Sequence, residues 1–189
     1  MEKLDYTVVK DPYPVLRQKS KEVPFPLSVE DEKIINFLHN YLVITSDDKV
    51  AEEMGVKPGV GLACNQLGIA KRMLAIYIEY HDEEGNVAQV TQFSFINPKI
   101  ISKSVRPAYL KGGEGCLSVE GDHPGYVVRS SFVTVQGYDY LTKTTVQVKF
   151  RGYEAIVIQH ELDHLDGILF YDRINKKDPW LDIEGAQVI

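Results

Sequence analysis

Residues 159–167 read QHELDHLDG. On a helix turning about 100° per residue, His160 and His164 stand about 40° apart and one turn along. That is the spacing at which two imidazoles grip one metal ion. Taken alone, HExxH has a plainer meaning, a solvated polar helix end carrying two unrelated histidines. Ile156, Val157 and Ile158 directly before it argue against that, because they require one side of the helix to be buried. Glu161 falls at the edge of the ligand face, where a carboxylate can reach a water on the metal without being a ligand. Asp163 lies about as far round the other edge, and its shorter arm makes it the poorer base and the better orienter of a histidine. Proton transfer is therefore assigned to Glu161, with Asp163 the alternative that helix geometry does not exclude.

A catalytic metal with two histidines needs a third protein ligand and an open position. Cys116 is the candidate. It lies in GGEGCLS, where glycines let the backbone approach a site closely; its plainer meaning is a buried structural thiol. A third segment, GVGLACNQ at residues 59–66, suggests a loop at Gly59 and Gly61 whose N–H groups face a ligand, with the Gln66 amide a donor for a developing oxyanion. It has neither GxxxxGK[ST] nor GxGxxG spacing, so nucleotide binding gets little support. Ile156 and Val157 precede His160 by four and three residues and share its face, so they can wall an apolar pocket beside the metal.

Two other chemistries compete. A zinc peptidase would take a further ligand downstream of the helix, where this chain has no histidine after His164 but does have Asp166, Asp172 and Glu184. A binding module with a structural Cys-His-His site would want four protein ligands and no catalytic carboxylate beside them.

These residues need elements to position them. Ser28 can cap a helix with Asp31 as its acid partner, and Ile34, Leu38, Tyr41 and Leu42 follow at helical spacing. A shorter helix fits residues 46–54, stopped by Gly55. MLAIYIEY and VAQVTQFSFI around HDEEGN predict two strands and a loop. VVRSSFVTVQGYDY and TTVQVKF predict more, turning at residues 141–143. Helical spacing returns from Glu154 to Leu165 and closes at Gly167. The first segment, through Pro24 and Pro26, reads as an irregular arm. Strands in the middle with helices outside predict an α+β fold, antiparallel sheets packed around the metal-binding helix, in one domain over residues 1–189.

The 189 residues are 44% apolar and 25% charged with a net charge of −6, an ordinary globular profile. Overall charge gives no case for a nucleic-acid or anionic-membrane surface. No apolar run reaches the ~20 residues of a membrane helix, and the N-terminus has no signal or transit pattern, so a cytoplasmic home is expected. Cys64 and Cys116 are expected to be free thiols there.

Together GVGLACNQ, EGCLS and QHELDHLDG, in this order over this chain length, resemble peptide deformylase. The stretch after EGCLS, the insertion at residues 43–57 and the short C-terminal tail are similar to the Gram-positive type, type 2. The resemblance implies a metal hydrolase that removes the formyl group from the N-terminal formyl-methionine of nascent bacterial chains, in ribosome proximity, releasing formate. It implies Cys116, His160 and His164 as ligands of one divalent ion per chain, Glu161 as general acid and base, and Gln66 with the Leu117 N–H as the oxyanion hole beside Gly61. Val60 would close the methionine pocket of Ile156 and Val157, and Glu114 would pair with Arg129. The implied physiological metal is Fe2+, with Zn2+, Ni2+ or Co2+ in preparations; one sulfur and two imidazoles suit zinc as well. A monomer is expected. Cys64 and Asn65 depart from the family's usual alanine and its usual small residue or proline, and are expected to be packing variants, Cys64 with a second oxidisable thiol near the site.

Overall fold

Met73 to Ile76 are apolar without alternation, so the strand they form needs cover on both faces. The computed structural model describes residues 6–189; the first five residues of the expected arm lie outside them. In chain order the elements are α1 (Val29–Thr45), α2 (Asp48–Met54), β1 (Gly61–Ala63), β2 (Met73–His81), β3 (Val87–Lys103), β4 (Pro107–Tyr109), β5 (Arg129–Ser130), β6 (Phe132–Asp139), β7 (Thr144–Arg151), α3 (Gly152–Leu165) and β8 (Gln187–Val188), with short 3-10 turns at Pro14–Arg17, Cys64–Leu67 and Phe170–Arg173.

An antiparallel five-stranded sheet runs β1-β2-β3-β6-β7. Leu74, Ile76 and Ile78 of β2 pack with Ala155, Val157, Ile158, Leu162 and Leu165 of α3. Met73 and Ala75, on the other face, pack with Ile34, Ile35, Leu38 and Leu42 of α1. The strand is thus held between two helices, which is why its apolar run shows no alternation. The predicted α+β fold stands, with β3 longer than its apolar pattern and β1, β4 and β8 too short for periodicity to reveal.

The second sheet matters most for the site. β4 pairs antiparallel with β5, and β8 adds to β4 in parallel. The two ends of the irregular segment that carries Cys116 are thereby stapled together. Glycines can supply that segment's turns, but only the sheet at its base makes its path unique.

α1 begins as its sequence dictates. Ser28 Oγ accepts from Asp31 N at 3.1 Å while Asp31 Oδ2 accepts from Ser28 N at 3.2 Å. Lys71 Nζ lies 2.5 Å from Asp31 Oδ1, tying the helix start to the entry of β2. Burial alone would raise the Asp31 pKa, but the bonds from Lys71 and Ser28 outweigh it and hold it below the usual value. A carboxylate lowered in the fold contributes stability above its unfolded pKa and loses it as pH falls through the folded value. Asp31→Ala should therefore cost about 1–2 kcal/mol at neutral pH. In urea unfolding, the gap from the wild type should close below about pH 4; an unchanged gap at pH 3 would show that the charge of the Asp31 carboxylate is not its source.

Candidate metal centre

α3 buries nearly its whole surface, including residues 155–165. Its apolar stripe meets the five-stranded sheet, so its other side must carry its polar residues into the interior. His160 and His164 present ligand atoms there with Cys116 Sγ, all within 4.8 Å of one another. Cys116 Sγ and His164 Nε2 are 3.1 Å apart. Among the described residues this is the one His, Cys, Asp and Glu group that converges so. Asp166 and Asp172, the downstream carboxylates a peptidase site could use, are instead paired with Arg72 and Arg17.

The donor set fits a divalent ion. Two imidazole nitrogens and a sulfur converge from a rigid helix and a stapled loop, and the side facing the cavity has no fourth protein ligand among the described residues. His160 Nδ1 sits 2.8 Å from Glu114 Oε2; with a proton on Nδ1, the lone pair of Nε2 is free to ligate a metal. Burial pulls the His160 pKa down, but Cys116 and Glu114 outweigh it and push it up to about 10. His164 moves the other way, lowered by burial and by the neighbouring cations, so it stays neutral, the form that ligates.

Behind these three side chains runs a chain of alternating charge. Glu114 takes Arg129 Nε at 2.6 Å and Nη2 at 2.8 Å, the pair the resemblance implied. Arg129 Nη1 reaches Asp163 Oδ2 at 2.8 Å, and Asp163 is gripped by Arg173 at 2.5 and 2.6 Å. Asp163 therefore orients no histidine directly. Glu114 does so, and Asp163 holds the arginine behind it. Spacing along α3 could not disclose this, because the partners come from β5 and from the segment after the helix.

Glu161 is 4% exposed, and its Oε2 is buried without a hydrogen-bond partner. Burial, the largest influence, raises its pKa to about 7 against the pull of His160 and Arg129. Gly61 makes room for it: a Cβ there would collide with Glu161 Oε1. Both line a cavity of about 610 Å3 with Gln66, Glu114, Cys116, Leu117 and His160. Val60, Ile156 and Val157 line it as well, together with Leu110 and Val119, which come from distant segments, and Tyr153, which stands one turn before Ile156 and Val157 on α3 and could have been found by the same helical spacing. Gln66 Oε1 accepts from Ala63 N at 2.8 Å, which orients Nε2 toward Ser118 Oγ at 3.2 Å and Cys116 Sγ at 3.8 Å. The Leu117 N–H has no acceptor among the described residues. Cys64 is fully buried, its thiol pushed up to about 12 by burial; it packs, and an oxidisable role does not suit it. Asn65 is also fully buried and donates to the His164 carbonyl.

Known proteins share this arrangement of chain. A family model described as polypeptide deformylase matches residues 5–180. A peptide deformylase of Listeria monocytogenes serotype 4b is 47% identical over 172 residues, spanning 91% of each chain. Peptide deformylase 2 of Geobacillus stearothermophilus is 44% identical over 95% of this chain and 94% of its own. Among solved structures, a Met-Ala-Ser bound class I type b peptide deformylase from Acinetobacter baumannii superposes with a TM-score of 0.68 at 28% identity, covering 89% of this chain and 98% of that one.

The contact between Gly61 and Glu161 is directly testable. Gly61→Ala should drive the carboxylate away and lower kcat by about 10- to 100-fold, the weight of a misplacement near 1 Å. Metal content and thermal midpoint should stay as in the wild type. Undiminished kcat in the Gly61→Ala variant would show that the close approach is incidental.

Proposed function

Because the chain belongs to the polypeptide deformylase family and is a metal-dependent hydrolase that removes the formyl group from the N-terminus of nascent polypeptides, we propose which of its atoms do so. Cys116, His160 and His164 hold the metal, Glu161 moves the proton, and Gln66 Nε2 with the Leu117 N–H receives the charge on the formyl oxygen. One observation carries this: three ligand atoms lie within 4.8 Å of one another, and two of the residues that offer them, Cys116 and His160, line the same cavity as Glu161, whose Oε2 is buried and unpartnered.

The metal, when bound, lowers the pKa of a water and polarises the formyl group. Glu161 takes the proton from the attacking water at Oε2; a carboxylate near neutrality accepts it and returns it with little bias. As the formyl carbon becomes tetrahedral, its oxygen gains charge where Gln66 and Leu117 direct their donors. Glu161 then passes the proton to the leaving nitrogen, the C–N bond breaks, and formate and a free amine depart. Val60, Ile156, Val157 and Tyr153 supply the apolar wall for a methionine side chain. β1 is an edge strand, so the peptide's main chain can lie along it as an added strand.

Fe2+ is the metal proposed for the cell, on the family resemblance, with Zn2+, Ni2+ or Co2+ able to occupy the same donors. The proposal extends to one catalytic domain acting as a monomer on formyl-methionyl chains in the cytoplasm. Among the described residues no helix is long and apolar enough to cross a membrane. The Acinetobacter relative is bound to Met-Ala-Ser, which makes formyl-Met-Ala-Ser the substrate of choice.

The decisive experiment measures formate released from formyl-Met-Ala-Ser beside metal content. Glu161→Gln should keep the metal and lose at least ~10²-fold in kcat. Full activity in that variant would transfer the proton to a group other than Glu161. Cys116→Ala should bind no metal at stoichiometric concentration. In the wild type, metal should be released as pH falls, since a proton competes for His160 with its raised pKa. A chelator competition between pH 8 and 5 reads both; equal retention across that range would exclude this ligand set.

A further inference from the structure

The two donors for the formyl oxygen come from segments about fifty residues apart in the chain, and a third segment touches both. Val9 N donates to Gln66 O at 2.8 Å, Lys10 Nζ to Leu117 O at 2.7 Å, and Asp11 N to Ser118 O at 2.8 Å. The arm is itself anchored. Asp11 Oδ2 accepts from Tyr171 OH at 2.7 Å, and that hydroxyl accepts from Arg17 Nη2 at 2.6 Å. Val9 packs against the cluster of Val15, Leu16 and Leu169, as does Val119. A backbone strap would suffice to cover the surface, yet Lys10 commits a charged side chain to one carbonyl.

That carbonyl belongs to the turn whose geometry catalysis needs. Ser118 N points at Cys116 Sγ at 3.3 Å and Val119 N at Cys116 O at 3.3 Å, so the turn is already bent around the sulfur. The Leu117 C=O lies in the peptide plane next to the one that carries the Leu117 N–H, joined to it through the Leu117 Cα, so holding that carbonyl from outside limits how the N–H plane can turn. A donor to a charged oxyanion must be held before the charge appears, because reorganising it during the reaction cancels its benefit.

We propose that Lys10 is a positioning residue for hydrolysis: its ammonium, bonded to Leu117 O, holds the 116–118 turn so that the Leu117 N–H stays aimed at the formyl oxygen. This deepens the oxyanion assignment above and rests on it. Lys10 touches no reacting atom, and its effect belongs to the chemical step.

Lys10→Met keeps the aliphatic stem and removes the donor. On formyl-Met-Ala-Ser, with the metal-loaded enzyme, kcat should fall roughly 5- to 10-fold, as for one hydrogen bond lost at an exposed site. KM should hold within about twofold, and metal content and thermal midpoint should not change. Lys10→Arg, which restores a cationic donor, should recover most of the loss. Gln66→Met tests the underlying assignment separately and should lower kcat by ~10²-fold with metal retained. If Gln66→Met keeps full kcat, the oxyanion assignment fails and this proposal with it. If Gln66→Met is impaired while Lys10→Met is not, the proposal alone is overturned. It is equally overturned if the Lys10→Met loss comes with lost metal or a lowered midpoint, or if Lys10→Arg rescues nothing.

Discussion

Glu114 sets one oxygen on His160 Nδ1 and gives both to the Arg129 guanidinium. The rest of the centre depends on this carboxylate being charged where water scarcely reaches. Burial alone would raise its pKa; the bonds from Arg129 and His160 outweigh burial and lower it. Burial likewise works against the Arg129 charge, and Glu114 and Asp163 more than offset it. Neither ion could stay buried without the other, since an isolated buried charge costs several kcal/mol. The chain ends at Arg173, whose side chain is 39% exposed, so the alternation terminates at solvent with no interior charge left over. Its product is orientation: an imidazole on a helix has freedom about two torsions, and a fixed acceptor on Nδ1 removes it.

The same cavity holds a second carboxylate in the opposite condition. Glu161 lies beside Gly61 and makes no hydrogen bond through Oε2, and burial carries its pKa to about 7. Two glutamates a short way apart thus diverge, Glu114 as a fixed anion that orients and Glu161 as a group able to exchange a proton near neutrality. Environments that push like groups apart in pKa are how an active site divides its labour. Here the division comes from whether an arginine or a glycine faces the carboxylate.

Precision at the centre is inherited from covered secondary structure. α3 is wedged against β2, and β2 is backed by α1, so the histidines stand on a helix with little freedom to roll. Cys116 and Leu117 lie on irregular chain, and their accuracy comes from the β4, β5 and β8 staple at the base and from the arm at residues 9–11 across the top.

Much of this was legible in the residues alone. Period and caps disclosed α1, α2, the paired strands and α3, because those signals are local: Ser28 and Asp31 meet three residues apart, and His160 and His164 share a face by helical pitch. The order of three short motifs indicated the family, since together they are far more specific than any one. What stayed hidden were relations that no local spacing encodes. Asp163 and Glu161 flank the same helix face almost symmetrically, and only Arg129 and Arg173, arriving from other elements, take one carboxylate away and leave the other to the cavity. The link from Glu114 to His160, the closeness of Gly61 to Glu161, and the hold of Lys10 on Leu117 likewise join residues distant in sequence. Local chemistry determined which groups could act; tertiary packing decided which group faces which, because a side chain's charge and freedom are set by what it is buried against.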